Sequence, residues 1–218
     1  MSTDYFEALI KTEKYETKNQ IFLKTRVFKT LNNLIKTFFN DSFKKNQFLL
    51  DLGSSYGAFV EIAKKNGLNA KGLDIKDLNL EKDSIHLADE SCDVVTAISL
   101  LEHLNQPDHL LKEVKRILKK NGYFIIVTPN WPYNVKTFFD DPTHVHPYSK
   151  KSLEFLLKLN NFNNIKIVPW LVCKPTWMWK IPFSFFLARI IPFRGDVNKW
   201  IPEFLKGKSK TLLSICTK

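Results

Sequence analysis

Apolar residues recur along this chain in two alternating rhythms. Between residues 19 and 39, Phe22, Leu23, Val27, Leu31, Leu34, Ile35 and Phe38 fall three to four apart with lysines between them. That is the spacing of an amphipathic helix. An unbroken apolar run follows at 48–51, then glycines at 53 and 57, then a second helical stripe over 58–66. Residues 68–74 read as a second strand, ending in Asp74, and 78–87 as the third segment of the sheet. Residues 92–98 are β-branched and nearly uncharged, the pattern of a strand buried on both faces. Leu110, Leu111, Val114, Ile117 and Leu118 mark a helix over 106–120 that Asn121 and Gly122 close. Residues 123–129 form a fifth strand, a Ser149-capped helix covers 149–159, and 162–168 and 211–216 are the last two strands. Strands alternating with helices predict a parallel, doubly wound sheet.

With 218 residues and 44% apolar content, 1–218 is expected to be one domain with an ordinary core. Residues 1–44 form its N-terminal helical region. Residues 169–210 form an insert rich in Trp and Phe, broken by Pro182, Pro192 and Pro202 and punctuated by Lys and Arg. Such a segment suits a lid, a packed cover, or a face resting on a membrane surface through 177–205. No run approaches the roughly 20 apolar residues of a membrane span. The first residues lack the basic head and apolar stretch of a secretory leader. Cys92, Cys173 and Cys216 are isolated, as reduced thiols would be. The expectation is a cytoplasmic protein, with peripheral contact at the inner membrane face through that insert. Lys plus Arg number 33 against 22 acids, a net charge of +11. That charge attracts anionic partners, but no RNA-binding module accompanies it, so nucleic acid is not the expected partner. Nothing in the sequence sets an oligomeric state.

The candidate chemistry lies where strands end. The Gly53 and Gly57 turn exposes backbone N–H groups at a helix N-terminus, a seat for a negative or polar ligand group. The nicotinamide pattern G-x-G-x-x-G fails here, because its later glycines fall on Ser55 and Ala58. Asp74 stands about twenty residues further on, where βαβ nucleotide folds place a carboxylate on ribose hydroxyls. After the strand at 92–98 the chain turns at Ser99, and Glu102 and His103 follow at the rim. The loop at 130–148 gathers Asp141, His144 and His146 with Trp131, Tyr133 and Tyr148. Imidazole accepts a proton near neutral pH. Alternatively, one of these histidines bonds to backbone and shapes the loop. A metal site is a third reading, but another strong ligand is not obvious, so no metal is expected.

These motifs carry a family resemblance. FLLDLGSSYG at 48–57 resembles motif I, D-x-G-x-G-x-G, of the class I S-adenosylmethionine-dependent methyltransferases. Asp51, Gly53 and Gly57 match it, and Ser55 stands where the middle Gly usually is. ADESCDVVTAISLLEHL at 88–104 is similar to the family's P-D-x-S-F-D-V-V…L-E-H-L segment, with Ala88 and Cys92 replacing Pro and Phe. DPTHVHPYS at 141–149 resembles the D-x-x-H-x-H-P-[FY]-[ST] loop of a subset rich in O-methyltransferases for sugars and natural products. The resemblance covers 45–168 and the last strand.

It implies an α/β, Rossmann-like, seven-stranded, mostly parallel sheet in the order 3-2-1-4-5-7-6, with helices on both faces and the aromatic insert before the last strand. It implies S-adenosylmethionine as cofactor, held by Asp51, Gly53, Ser55, Gly57, Asp74, Asn79, Leu80 and Ser99, with Glu81 as the substitute for Asn79. His144 and His146 are implied base candidates, and His103 with Glu102 further acceptor-pocket residues. The expected acceptor is a hydroxyl of a small molecule, a sugar or a lipid-linked glycan. The alternatives are an RNA (tRNA) methyltransferase, a quinone or lipid-precursor methyltransferase, and a non-catalytic S-adenosylmethionine-binding protein.

Overall fold

The structure is a computed structural model and describes residues 17–74, 76–169, 193–194 and 206–218. In chain order the elements are α1 (Thr17–Phe39), β1 (Phe48–Leu52), α2 (Ala58–Lys65), β2 (Asn69–Leu73), β3 (Cys92–Ile98), α3 (Pro107–Ile117), β4 (Leu118–Pro129), α4 (Trp131–Asn134), α5 (Lys150–Leu159), β5 (Asn163–Pro169), β6 (Phe193–Arg194), β7 (Lys206–Lys208) and β8 (Thr211–Thr217). Short 3₁₀ turns at Leu101–His103 and Phe138–Asp140 interrupt the connections.

Six strands form the main sheet in the order β2-β1-β3-β4-β8-β5. β1 to β4 run parallel, and β8 lies antiparallel between β4 and β5. The mixed, mostly parallel α/β sheet is as expected. The strand count is not: the expected seventh strand, beyond β2, does not form. Residues 78–87 run as turns, with Leu80 and Ile85 buried. The reason lies on α3. Arg116 donates to the carbonyls of Ile85 and Leu87, and Glu113 accepts from the Ile85 amide at 2.8 Å. Backbone groups that a strand would give to its neighbour are spent on one helix.

α3 also stops earlier than its apolar stripe suggests. Leu118 is fully buried and pairs with Cys92, so the chain is already extended before Asn121 and Gly122.

Consecutive residues of the central strands face opposite ways. Leu49, Val94, Ile125 and Leu213 point to α1 and α2, where Val27, Phe28, Leu31, Leu34 and Ile35 meet Phe59 and Ile62. Leu50, Val95, Ile126 and Leu212 point to α3 and α5, against Leu111, Val114, Leu153 and Leu157. The result is three layers with a sheet buried on both sides. Each such aliphatic side chain contributes about 1.5–3 kcal/mol by leaving water. α5 begins with the expected Ser149 cap, in a capping box with Ser152.

β6 and β7 pair in parallel as a separate ribbon. The rest of the membrane contact expected over 177–205 falls outside the described residues. Among the described residues, no helix is long and apolar enough to cross a membrane. The rigid central sheet brings the carboxyl ends of β1 to β4 to one edge, where open α/β sheets place their ligands.

Candidate active site

The turn after β1 takes left-handed angles at three alternate residues: φ is 70° at Gly53, 48° at Ser55 and 71° at Gly57. Ser55 thus adopts the backbone that glycine supplies without cost, at an expense of about 1–2 kcal/mol for an L-residue. The turn is tied to β2. Gly53 and Ser54 donate to the Leu73 carbonyl, and Ser55 N donates to Asp74 Oδ2 at 2.7 Å. A Cβ at Gly72 would run into the Ser54 side chain, so only glycine lets the two strand ends approach. Asp74 is half-buried at the rim.

Asp51 lies beneath this turn, on the α1 side. Thr96, its neighbour in register on β3, donates its hydroxyl to the carboxylate at 2.6 Å. Burial pushes the Asp51 carboxyl up to about 6, with the Thr96 bond and Lys24 opposing.

The other expected cofactor residues spread along the same edge. Ser99 is exposed, has φ 54°, and donates its amide to Val127. Asn79 is exposed in a tight turn, its side-chain oxygen accepting from the Glu81 amide at 3.0 Å. Leu80 is a core side chain. Glu81 accepts from the amides of Asn105 and Gln106, so its carboxylate caps the start of α3.

Beside the glycine turn, where Leu100 lies against Gly53, the 3₁₀ turn after β3 meets the loop at 138–148. The amides of Val145 and His146 both donate to the Glu102 carbonyl, at 2.8 and 3.0 Å. The Glu102 side chain is fully buried and accepts from the Thr128 hydroxyl at 3.0 Å. Burial raises its carboxyl to about 7.

The three histidines part company here. His144 donates Nδ1–H to the Phe138 carbonyl at 2.6 Å, and its ring lies 4.5 Å from Phe138 and 4.8 Å from His103. His146 donates Nδ1–H to the Leu104 carbonyl at 2.7 Å and stacks on Tyr148. A carbonyl only accepts, so both tautomers are set. These bonds anchor the loop, and in each neutral ring they leave the lone pair on Nε2.

His103 is held differently, 2.7 Å through Nδ1 from the Thr143 hydroxyl, which lies 2.6 Å from Asp141 Oδ1. Burial, then the neighbouring His144, lowers the His103 pKa, so it is neutral at pH 7. Burial would raise Asp141, but the Thr143 hydroxyl and amide with both imidazoles outweigh it and hold that carboxyl low.

Glu102, His103 and His144 each offer a ligand atom, all within 4.8 Å of one another. Glu102 thus supplies, beside two imidazoles, the third ligand type that the sequence did not show, in a cluster suited to metal or proton chemistry.

Thr143 and Thr128 were missed from the sequence. Thr143 had a signal: Asp-x-Thr is an Asx-turn pattern, and Thr143 N indeed donates to Asp141 Oδ1 at 2.9 Å. Thr128 had none, because its partner Glu102 lies 26 residues away on the 3₁₀ turn after β3.

Comparison with known proteins identifies this architecture. A family model described as "Methyltransferase domain" matches residues 23–167. A ubiquinone biosynthesis O-methyltransferase of Pelagibacter ubique (strain HTCC1062) is 31% identical over 119 residues. That match covers 45% of this chain and 50% of the relative, so the chain spans about half of the relative's length.

Among solved structures, a SAM-dependent methyltransferase from Archaeoglobus fulgidus superimposes with a TM-score of 0.58 at 22% identity, covering 90% of this chain and 99% of that one. Phosphoethanolamine N-methyltransferase 2 of Haemonchus contortus, solved with S-adenosyl-L-methionine, gives 0.57 at 16% identity, covering 94% and 58%. These structures share the fold. With the family model spanning well over half its length, the chain belongs to the methyltransferase-domain family.

Proposed function

We propose that the chain methylates a hydroxyl of a small molecule, a sugar or a lipid-linked glycan, with Asp74 and His103 at opposite ends of one pocket. The family's methyl donor is S-adenosylmethionine, which supplies, when bound, an electrophilic methyl group on a positive sulfur. The residues of the β1 and β2 ends suit such a nucleoside. Asp74 offers a carboxylate for ribose hydroxyls. The turn at Gly53, Ser55 and Gly57 offers backbone N–H groups, and among the described residues nothing but Gly57's chain neighbours lies within 4 Å of where a Gly57 side chain would begin. Asn79 and Ser99 complete the proposed rim, and Asp51 braces it from below.

The observation that carries the acceptor reading is the Asp141–Thr143–His103 chain at the same sheet edge. It presents a neutral imidazole beside a buried carboxyl, Glu102, and a hydroxyl acceptor needs a group that takes its proton. Alignment of donor and acceptor supplies the larger part of the rate. The Pelagibacter relative, named as an O-methyltransferase, also favours oxygen as the acceptor atom. It supports a second reading, a hydroxyl on a quinone precursor.

The test is S-adenosylhomocysteine release over a panel of nucleotide sugars, lipid-linked glycans, phenolic quinone precursors, amines and tRNA. Turnover with a hydroxyl compound, lost in His103→Ala, is the expected result. Turnover with amines or tRNA alone would overturn the acceptor assignment.

A further inference from the structure

We propose that Thr143 and Asp141 are positioning residues that lock His103 as its Nδ1–H tautomer, and so make Nε2 the atom that receives the acceptor's proton. The argument is hydrogen-bond accounting. Asp141 Oδ1 and Thr143 Oγ1 are 2.6 Å apart, and an ionised carboxylate only accepts, so the hydroxyl proton points to Asp141. The Thr143 oxygen then has only lone pairs to offer His103, 2.7 Å away. His103 Nδ1 must therefore carry the hydrogen. A neutral imidazole has one N–H, which puts the ring's lone pair on Nε2.

Burial makes this arrangement firm. Thr143 is only 1% exposed, so water does not compete for its hydroxyl. The Thr143 amide also bonds Asp141, at 2.9 Å, which fixes the carboxylate from a second direction.

The proton step balances. The acceptor O–H bond breaks and its proton goes to Nε2. The electron pair stays on the acceptor oxygen. The imidazolium that forms is stabilised by the negative Asp141, through Thr143. The logic is that of a carboxylate orienting a catalytic histidine, with one hydroxyl interposed. Among the described residues, the charged and titratable groups facing His103 include Asp141 and His144 on the loop at 138–148 and Glu102 on its own turn.

This inference deepens the base role proposed above and rests on it for its chemistry, but its test needs no acceptor. Long-range 1H–15N spectra of the full-length, 15N-labelled protein report which ring nitrogen of His103 bears the hydrogen. Wild type and Thr143→Ser are expected to show it on Nδ1 at neutral pH. Thr143→Val, nearly isosteric, is expected to move it to Nε2. Asp141→Asn keeps an acceptor for the Thr143 hydroxyl but loses the charge, so His103 is expected to keep its tautomer and to take its second proton at lower pH. An Nε2–H tautomer in wild type, an unchanged tautomer in Thr143→Val, or an unmoved or raised His103 midpoint in Asp141→Asn would overturn the relay. If the tautomer is confirmed but no hydroxyl compound is methylated, only the acceptor reading falls.

Discussion

Replacing Asp74 by alanine tests the proposed nucleoside end of the site. In the folded chain Asp74 Oδ2 accepts from the Ser55 amide at 2.7 Å. Ser55 is exposed, so water takes over that bond when the carboxylate goes, and the stability loss should stay near 0.5–1 kcal/mol. Affinity responds more strongly. A ribose hydroxyl on a carboxylate is a charge-assisted hydrogen bond, typically about 1.5–3 kcal/mol. At 1.4 kcal/mol per tenfold, losing one such bond weakens binding by about 10- to 150-fold. Asp74→Asn retains an oxygen acceptor for Ser55 and should fall between wild type and alanine. Isothermal titration with S-adenosylhomocysteine, with a thermal melt of each variant alongside, reads both effects. A Kd within twofold of wild type in a well-folded Asp74→Ala protein would refute the ribose assignment.

Three further outcomes follow from the packing. Glu102 is an acid whose folded pKa is raised, to about 7, so it binds its proton more tightly when folded. Its contribution is fully present below about pH 4.5 and is lost as pH rises through 7, by about 3 kcal/mol at most. Melts from pH 5 to 8 should slope downward in wild type and less so in Glu102→Gln, and equal slopes would contradict the assignment. Arg116→Ala should cost about 2 kcal/mol in urea unfolding, because the guanidinium ties Ile85, Leu87, Asp89 and Glu113 together while partly exposed; a loss below about 0.5 kcal/mol would show that the 78–91 segment holds without it. The Tyr148 hydroxyl is buried with no partner among the described residues. Tyr148→Phe should therefore leave unfolding unchanged or raise stability by about 1 kcal/mol, since an unpaired buried polar group costs free energy. Destabilisation by more than 1 kcal/mol would mean that the hydroxyl has a partner.

Much of this fold was legible because its signals are local. The α1 stripe and the runs at β1, β3 and β4 record burial directly in residue type. The glycine turn was legible because Gly53 and Gly57 answer a backbone need that few other residues meet. Ser55 shows the limit: its angle is the one that glycine would take, and the residue type gives no hint of it.

The segment at 78–87 was misread for a different reason. Leu78, Leu80, Ile85 and Leu87 look like sheet material, but the hydrogen-bond partners of this stretch sit on α3, about thirty residues away. No local pattern reports that Arg116 and Glu113 claim those backbone groups. The histidines show the same divide. From the sequence, His144 and His146 are the base candidates and His103 only a further acceptor-pocket residue. What separates them is which atom takes each Nδ1 hydrogen, a carbonyl for two and the Thr143 hydroxyl for the third, and that depends on how two distant loops meet.

The most direct measurement of the central claim is a crystal structure of the chain with S-adenosylhomocysteine. The account predicts the ribose hydroxyls on Asp74, the nucleoside against the turn at Gly53 to Gly57, and the sulfur facing the Glu102, His103 and His144 cluster. A nucleoside bound elsewhere, or a sulfur turned away from His103, would contradict it.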